Sequence, residues 1–296
     1  MSRTVVMPPS KPSRRRLGRE ALRAWYAPRR RAYPWRGSHD PYAVWVSEVM
    51  LQQTQATRVV PAFLSFLRRF PTVGELAAAA RRDVVREWGG LGYNRRAVRL
   101  SEAARAIVRD HRGRIPRDPA TLRELPGVGP YTAAAVASLG FGQPVAVVDT
   151  NVRRVVARVH LGIEGHEAPA NEVSALADAW LDRDDPASWN QTVMDLGREV
   201  CRPNPRCDAC PLSRVCRFHL AGSIAARGPV RQGTFEGSGR QVRGAVVRAL
   251  RSHPALSRTR LADETGFPPE RIDAAVGTLT TDGLVEDEAG ALRLAE

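Results

Sequence analysis

Tyr42, Trp45, Val46, Val49 and Met50 recur at i, i+3, i+4, i+7 and i+8, which is one face of an α-helix. Residues 84–88, 97–110 and 132–139 follow the same period. Gly and Pro punctuate the chain between them, at Gly89-Gly90, Ile115-Pro116, Pro126-Gly127 and Gly142-Gln143-Pro144. From about Leu22 to Leu220 the pattern is helical throughout, with no alternating run long enough to predict a strand. Residues 221–239, AGSIAARGPVRQGTFEGSG, read as a linker by composition. Beyond them the spacing predicts a helix over 242–251, a second over 258–265, and a third opened by Pro268-Pro269 and ended by Gly283. The closing stretch LVEDEAGALRLAE predicts a short hairpin. Three helices and a hairpin is the winged-helix order.

The map that follows is a basic, disordered tail over 1–18, a helical core over 19–220, the linker, and a small module over 240–296. The fold class is mainly α. No stretch approaches 18 uninterrupted apolar residues, which excludes a membrane span. The first residues lack an apolar segment before a small-residue cleavage site, so no secretory signal is expected. Four cysteines crowd into 201–216, whereas a secreted disulfide scaffold would spread them. A reducing cytoplasm and a metal or cluster site are expected. The net charge of +14 points to a phosphate-bearing partner. Of 45 Lys and Arg residues, Lys11 alone is lysine. Residues 1–36 hold eleven basic residues against Glu20, but residues 240–296 hold eight against nine acids. By that balance the module should pack on the core or hold a protein partner rather than grip DNA, although Arg240 and Arg243 lie beside the linker.

Three constellations carry chemistry. Leu125-Pro126-Gly127-Val128-Gly129-Pro130-Tyr131-Thr132-Ala133 separates two helical segments over about 121–139. Gly127 and Gly129 permit a close backbone approach, and the next helix starts with free N–H groups that suit a phosphate. This is the helix-hairpin-helix pattern, a sequence-independent backbone grip. The second constellation is Glu48 with Asp149. Glu48 falls on the edge of its helix's apolar arc, in line with Gln52 and Gln55. Asp149 follows the apolar run 144–148 and sits where an N-cap sits, beside Asn151. A helix N-terminus favours an ionised carboxylate, whereas a half-buried Glu keeps its proton more readily. One acid and one anion are what glycosidic cleavage through an oxocarbenium-like state requires. The third is Cys201-x5-Cys207-x2-Cys210-x5-Cys216. Its spacing favours an iron–sulfur cluster over zinc, since structural zinc usually takes two close Cys-x2-Cys pairs.

Together these motifs resemble the helix-hairpin-helix DNA glycosylase superfamily. Pro34-Trp35-Arg36, Ser47-Glu48-Val49-Met50-Leu51-Gln52-Gln53-Thr54, Gly90-Leu91-Gly92-Tyr93 and Met194-Asp195-Leu196-Gly197 resemble its adenine-excising, MutY-type branch over roughly residues 20–220. The resemblance implies a two-lobed glycosylase core with a cluster loop, acting by hydrolysis as a monomer on double-stranded DNA with adenine mispaired with 8-oxoguanine or guanine. It implies Glu48 as general acid, Asp149 as stabiliser of the sugar cation, and Tyr131 and Asn151 lining that site. Gln53 and Tyr93 correspond to residues that enter the base stack. Trp35, Arg36, Thr54, Leu91, Gly127, Gly129 and Gln191 fall among the substrate- and DNA-contacting positions. The four cysteines correspond to ligands of a [4Fe-4S] cluster. In lyase relatives a lysine stands where this chain has Tyr131. Members of the branch commonly end in a larger domain that inspects 8-oxoguanine, and the last 57 residues here are shorter than that. The rival readings are a thymine-mismatch glycosylase, a bifunctional lyase resembling endonuclease III, and a non-enzymatic metal-binding regulator.

Overall fold

The computed structural model describes residues 14–224 and 233–296. In chain order its elements are α1 (Arg14–Tyr26), α2 (Pro41–Leu51), α3 (Ala56–Arg69), α4 (Val73–Ala78), α5 (Arg81–Glu87) and α6 (Arg95–His111). Then come α7 (Pro119–Leu122), α8 (Pro130–Ala135), α9 (Thr150–Val156), α10 (Ala170–Trp180), α11 (Pro186–Glu199) and α12 (Arg217–Leu220). The last part holds α13 (Gly239–Ser252), α14 (Arg258–Thr265), α15 (Pro269–Thr281) and the strands β1 (Val285–Glu288) and β2 (Ala291–Leu294). Helices α8 and α9 each run on through a wider turn, over Val136–Gly140 and Ala157–Leu161. No described helix is long and apolar enough to cross a membrane.

These elements form two compact units, each made from two separate stretches of chain. One takes residues up to 32 together with 142–229, the other 33–141 together with 230–296. The first buries Leu22 of α1 among Val152, Val155 and Val156 of α9, Trp180 of α10, and Trp189, Val193 and Leu196 of α11. The rings of Trp180 and Trp189 meet edge to face at 5.0 Å. Burying such side chains contributes about 2 kcal/mol each, and an arginine-rich α1 could not otherwise hold its place. Residues 14–18, expected in the tail, are therefore helical: Gly18 packs so closely that a Cβ there would lie 3.5 Å from the Trp180 ring. The rest of the expected tail, 1–13, lies outside the described residues, as do 225–232 of the linker.

In the second unit α6 packs on α4 and α5, and α3 on α2 and α5; Phe63, Phe66, Leu76, Val84, Leu100, Ala103 and Ile107 are all buried. Thr72 and Glu75 close a reciprocal capping box at the start of α4. Helix α2 is buried on every side from Tyr42 to Met50, against the half-polar helix expected. Its first turn lies against Gly140, where a Cβ would stand 2.8 Å from the Pro41 Cα. That close approach brings α8 alongside α2.

The carboxy-terminal module has the expected three helices and hairpin, and α14 matches its expected bounds residue for residue. β1 and β2 are antiparallel, with Val285 opposite Leu294 and Glu288 opposite Ala291, and Leu256 bridges to Leu292. Ser238 caps α13 through a bond from the Gln241 N–H, so the linker ends just short of its expected boundary. The module packs on the helices of its own unit. Arg81 donates to the Gly283 carbonyl at 3.1 Å, Arg82 pairs with Glu296, and Arg95 lies 3.3 Å from Asp282. Among the described residues, strands occur in this module alone.

Candidate active site

Asp40 accepts from the Tyr42 N–H at 2.9 Å and Pro41 takes the first turn, so Asp40 caps the start of α2. Its eighth residue is Glu48, 6% exposed. The Tyr131 hydroxyl donates to Glu48 Oε2 at 2.7 Å. One turn on, Gln52 Nε2 reaches Thr132 Oγ1 at 3.4 Å. Glu48 and Gln52 thus meet consecutive residues of α8, directly after the Gly127–Gly129 turn. The expected stripe ends there, because α2 stops at Leu51 and Gln55 already caps α3. A carboxyl group this buried loses solvation when charged, and a hydroxyl donor to one oxygen fixes its orientation.

The end of α2 is held by Arg96, a residue that the sequence does not mark out. Arg96 Nη1 donates to the carbonyls of Val49, Met50 and Gln52 at 2.8, 2.9 and 2.6 Å. Its Nη2 donates to Thr54 Oγ1 and to the Gly92 carbonyl, both at 3.1 Å. Its guanidinium lies over the rings of Trp88 and Tyr93 at 5.3 and 5.5 Å. Burial brings its pKa down to about 10. The two residues expected to enter the base stack flank this arginine, and both carry positive φ without being glycine: Gln53 at 54° and Tyr93 at 48°. Such backbone costs on the order of 1 kcal/mol per residue and persists where surrounding bonds over-determine it. Arg96 supplies those bonds on both sides.

Gln53, Leu91, Tyr93 and Gly127 share one cleft of about 890 Å³, walled on its far side by α13. Tyr93 is 44% exposed, whereas Leu91 is buried. Gly127 has φ 76°, and a Cβ there would stand 2.7 Å from Arg99 Cβ, so glycine is required twice over. Gly129 has open space around it. Trp35 and Arg36 do not line this cleft. Trp35 is buried, edge-on to Phe63 and stacked on Tyr33 at 5.1 Å, and Arg36 lies over the same Tyr33 ring.

Asp149 and Asn151 belong to the other unit. Asp149 caps α9 as expected, accepting from the Val152 N–H at 2.6 Å and from Asn151 Nδ2 at 2.9 Å. Both donors point at the carboxylate oxygens and fix where they lie at the start of α9. Asn151 Oδ1 accepts from Arg154 Nη2 at 2.9 Å, and Arg154 also donates to the carbonyls of Gly197 and Cys201. Gly197 can only be glycine, since a Cβ would lie 2.7 Å from that of Asn151. Gln191, on α11, is buried and its Oε1 has no donor.

Cys201, Cys207, Cys210 and Cys216 are all free and line one cavity with Leu212 and Phe218. Arg158, buried beside them, donates to Cys201 Sγ at 3.7 Å and pairs with Glu164 at 2.7 Å. Burial raises the Cys201, Cys210 and Cys216 thiols, Cys210 to about 12, and Arg158 opposes this at Cys201. Among the described residues, no three or more His, Cys, Asp or Glu converge on a single metal ion.

A helix-hairpin-helix whose second helix meets a buried acid from α2, a capping aspartate beyond it and a four-cysteine loop define a class. Residues 46–181 match the model of the HhH-GPD superfamily of base excision DNA repair proteins. The chain is 42% identical over 272 residues to an adenine DNA glycosylase of Mycolicibacterium smegmatis, covering 90% of this chain and 92% of that one. It is 40% identical over 290 residues to one of Mycobacterium tuberculosis, covering 95% and 94%. That coverage leaves too few residues outside to omit the carboxy-terminal module. A thermostable thymine-DNA glycosylase structure superposes with a TM-score of 0.66 at 29% identity, covering 70% of this chain and 97% of that one. The chain belongs to the adenine DNA glycosylase family of base excision repair. Arg96, Arg154 and Arg158 escape sequence reasoning because arginines are everywhere in this chain.

Proposed function

We propose that the chain hydrolyses the N-glycosidic bond of adenine mispaired with 8-oxoguanine or guanine in duplex DNA, acting as a monomer in a reducing compartment and without cutting the strand. The observation that carries this is the buried Glu48 carboxyl group, held by the Tyr131 hydroxyl at 2.7 Å in a chain of this family. Adenine must leave the base stack before any group can reach its glycosidic bond. Glu48 then protonates the ring, so that the base departs neutral. Tyr131 keeps the acid turned to one rotamer, and Thr132 holds the neighbouring Gln52. Asp149, positioned by the Val152 N–H and Asn151, offsets positive charge growing on the sugar. Water completes the hydrolysis. A lyase would need an amine nucleophile, and the described residues contain no lysine.

Cys201, Cys207, Cys210 and Cys216 would hold a [4Fe-4S] cluster. Four free thiols lining one cavity supply the ligand set for such a cluster, and the Arg158 guanidinium beside Cys201 would offset thiolate charge. Such a cluster supplies a rigid, cross-linked loop here, since the hydrolysis needs no electrons.

The test is Glu48→Gln in single-turnover excision, on duplexes with A, G, T or C opposite 8-oxoguanine and A opposite G, each with and without alkali. Excision of adenine should fall by at least about 10²–10⁴-fold while binding to the mismatch persists. Near-normal rates in the variant would remove Glu48 from the mechanism. Strand breaks from wild type without alkali would remove the hydrolytic reading.

A further inference from the structure

The acid excess of the carboxy-terminal module does not reach its first helix. α13 reads GRQVRGAVVRALRS and contains no acid. The module's acids cluster on its other elements, where Arg258 pairs with Asp273 and Asp287, and Arg293 with Glu286 and Glu288. At 100° per residue, Arg240, Arg243, Arg248 and Arg251 fall within an arc of roughly 140° that also contains the buried Val247, with the buried Val242 and Ala249 opposite. All four line the cleft that also holds Gln53 and Tyr93. Arg58, Arg95 and Arg99 line its other wall, where Arg96 also lies with both terminal nitrogens already bonded to α2 and its flanks. The one acid in the lining, Asp282, lies 3.3 Å from Arg95 and is offset by it. Two N–H donors among the lining residues, Trp45 Nε1 and Arg251 Nε, are buried without an acceptor.

We propose that the α13 arginine face is a second phosphate-binding wall, which takes the DNA backbone in the cleft opposite the Gly127 turn. Guanidinium forks on both sides of a cleft suit a doubly flanked polyanion, and Gln53 with the exposed Tyr93 at its floor suits bases rather than peptide. The inference rests on the proposed function for the identity of the polyanion. It places the DNA contact of the module on its first helix, whereas the third, α15, carries the acids Glu270 and Asp273 and the single arginine Arg271. Arg271 in turn is tied to the Gly237 carbonyl at 2.8 Å.

The experiment compares the full chain with Arg243→Ser/Arg248→Ser and with Arg243→Lys/Arg248→Lys. Each is titrated against a 30-base-pair duplex carrying A opposite 8-oxoguanine, between 50 and 200 mM salt. Losing two phosphate contacts lowers the slope of log K against log salt by about 1.8, which at 100 mM salt is about a 50-fold loss of affinity. The serine variant should show this loss and the lysine variant should retain most of the slope. An unchanged slope in the serine variant overturns the proposal. Equal losses in both variants, or a lowered melting temperature in both, would mean that the arginines act on folding and would also overturn it. Binding of polyglutamate to wild type, lost in the serine variant while duplex affinity stays, would assign the face to an acidic protein instead. Adenine excision by wild type is measured in parallel. Its absence would fail the proposed function without touching the slope, and an unchanged slope with normal excision would fail this inference alone.

Discussion

Arg96 binds three carbonyls at the end of α2 and two groups beyond it, so that one side chain holds the strained backbone at both Gln53 and Tyr93. Arg96→Met keeps the apolar stem against Trp88 but leaves buried acceptors without donors. Removing hydrogen bonds from a charged donor costs about 1.5–3 kcal/mol each, partly recovered by relaxation, so the variant should lose about 3 kcal/mol in denaturant unfolding. It should also lose more affinity for the mismatch than for undamaged duplex, because Gln53 and Tyr93 lose their fixed backbone. A loss under about 1 kcal/mol would show that the loops hold themselves. The residues proposed for the chemistry stand out in the sequence, and the side chains that hold them do not. Glu48 stands out because a carboxylate beside two amides is too polar for an apolar helix. Its full burial does not, because periodicity describes one face and α2 is enclosed on all of them. Asp149 is legible as a cap, since capping is a local rule. Arg96 and Arg154 act at long range on carbonyls, which carry no sequence signature.

At the scale of elements, α9 and the cysteine loop form a single mechanical piece. Asp149 bonds Asn151, Asn151 bonds Arg154, and Arg154 bonds the carbonyls of Gly197 and Cys201. Arg154→Leu should therefore leave the four cysteines and the absorbance near 400 nm of the proposed cluster in place while slowing single-turnover excision about tenfold, through a loosened Asn151 and Asp149 pair. Cys216→Ser should lose both the absorbance and the iron. Normal excision in Arg154→Leu would sever this chain of bonds from the chemistry. The helix boundaries in the module were readable because Ser257, Pro268-Pro269 and Gly283 are local stop and start signals. The start of α1 was not, because Arg14 to Arg19 look like a solvated tail until Gly18 is seen against Trp180 and Leu212.

Across the whole molecule, the unit built from α1 and α9–α12 carries a titratable weakness. His160 is packed edge-on to Trp180 at 4.8 Å, with its Nε2 lacking a partner. Burial first, then Arg15 and Arg217, bring its pKa down to about 4 from the ordinary 6.5, with Glu172 lining the same pocket. The neutral ring is the one that fits, so its stabilisation is complete above pH 6.5 and is lost as pH falls toward 4. Between pH 7 and pH 5 the loss should be about 2 kcal/mol. It should show as a lower unfolding midpoint in wild type that largely disappears in His160→Phe, and an equal pH response in both would place the weakness elsewhere. The same unit is interrupted in the chain: Arg23 of α1 pairs with Asp182, 159 residues further on. During synthesis α1 leaves the ribosome long before Trp180 and Trp189 exist to cover it. At about 5–20 residues per second, its apolar stripe stays open for roughly ten seconds or more while the first stretch of the other unit forms. Nascent chains stalled after Phe141 should hence expose α1 to proteases and chaperones, and release of the remaining residues should close it.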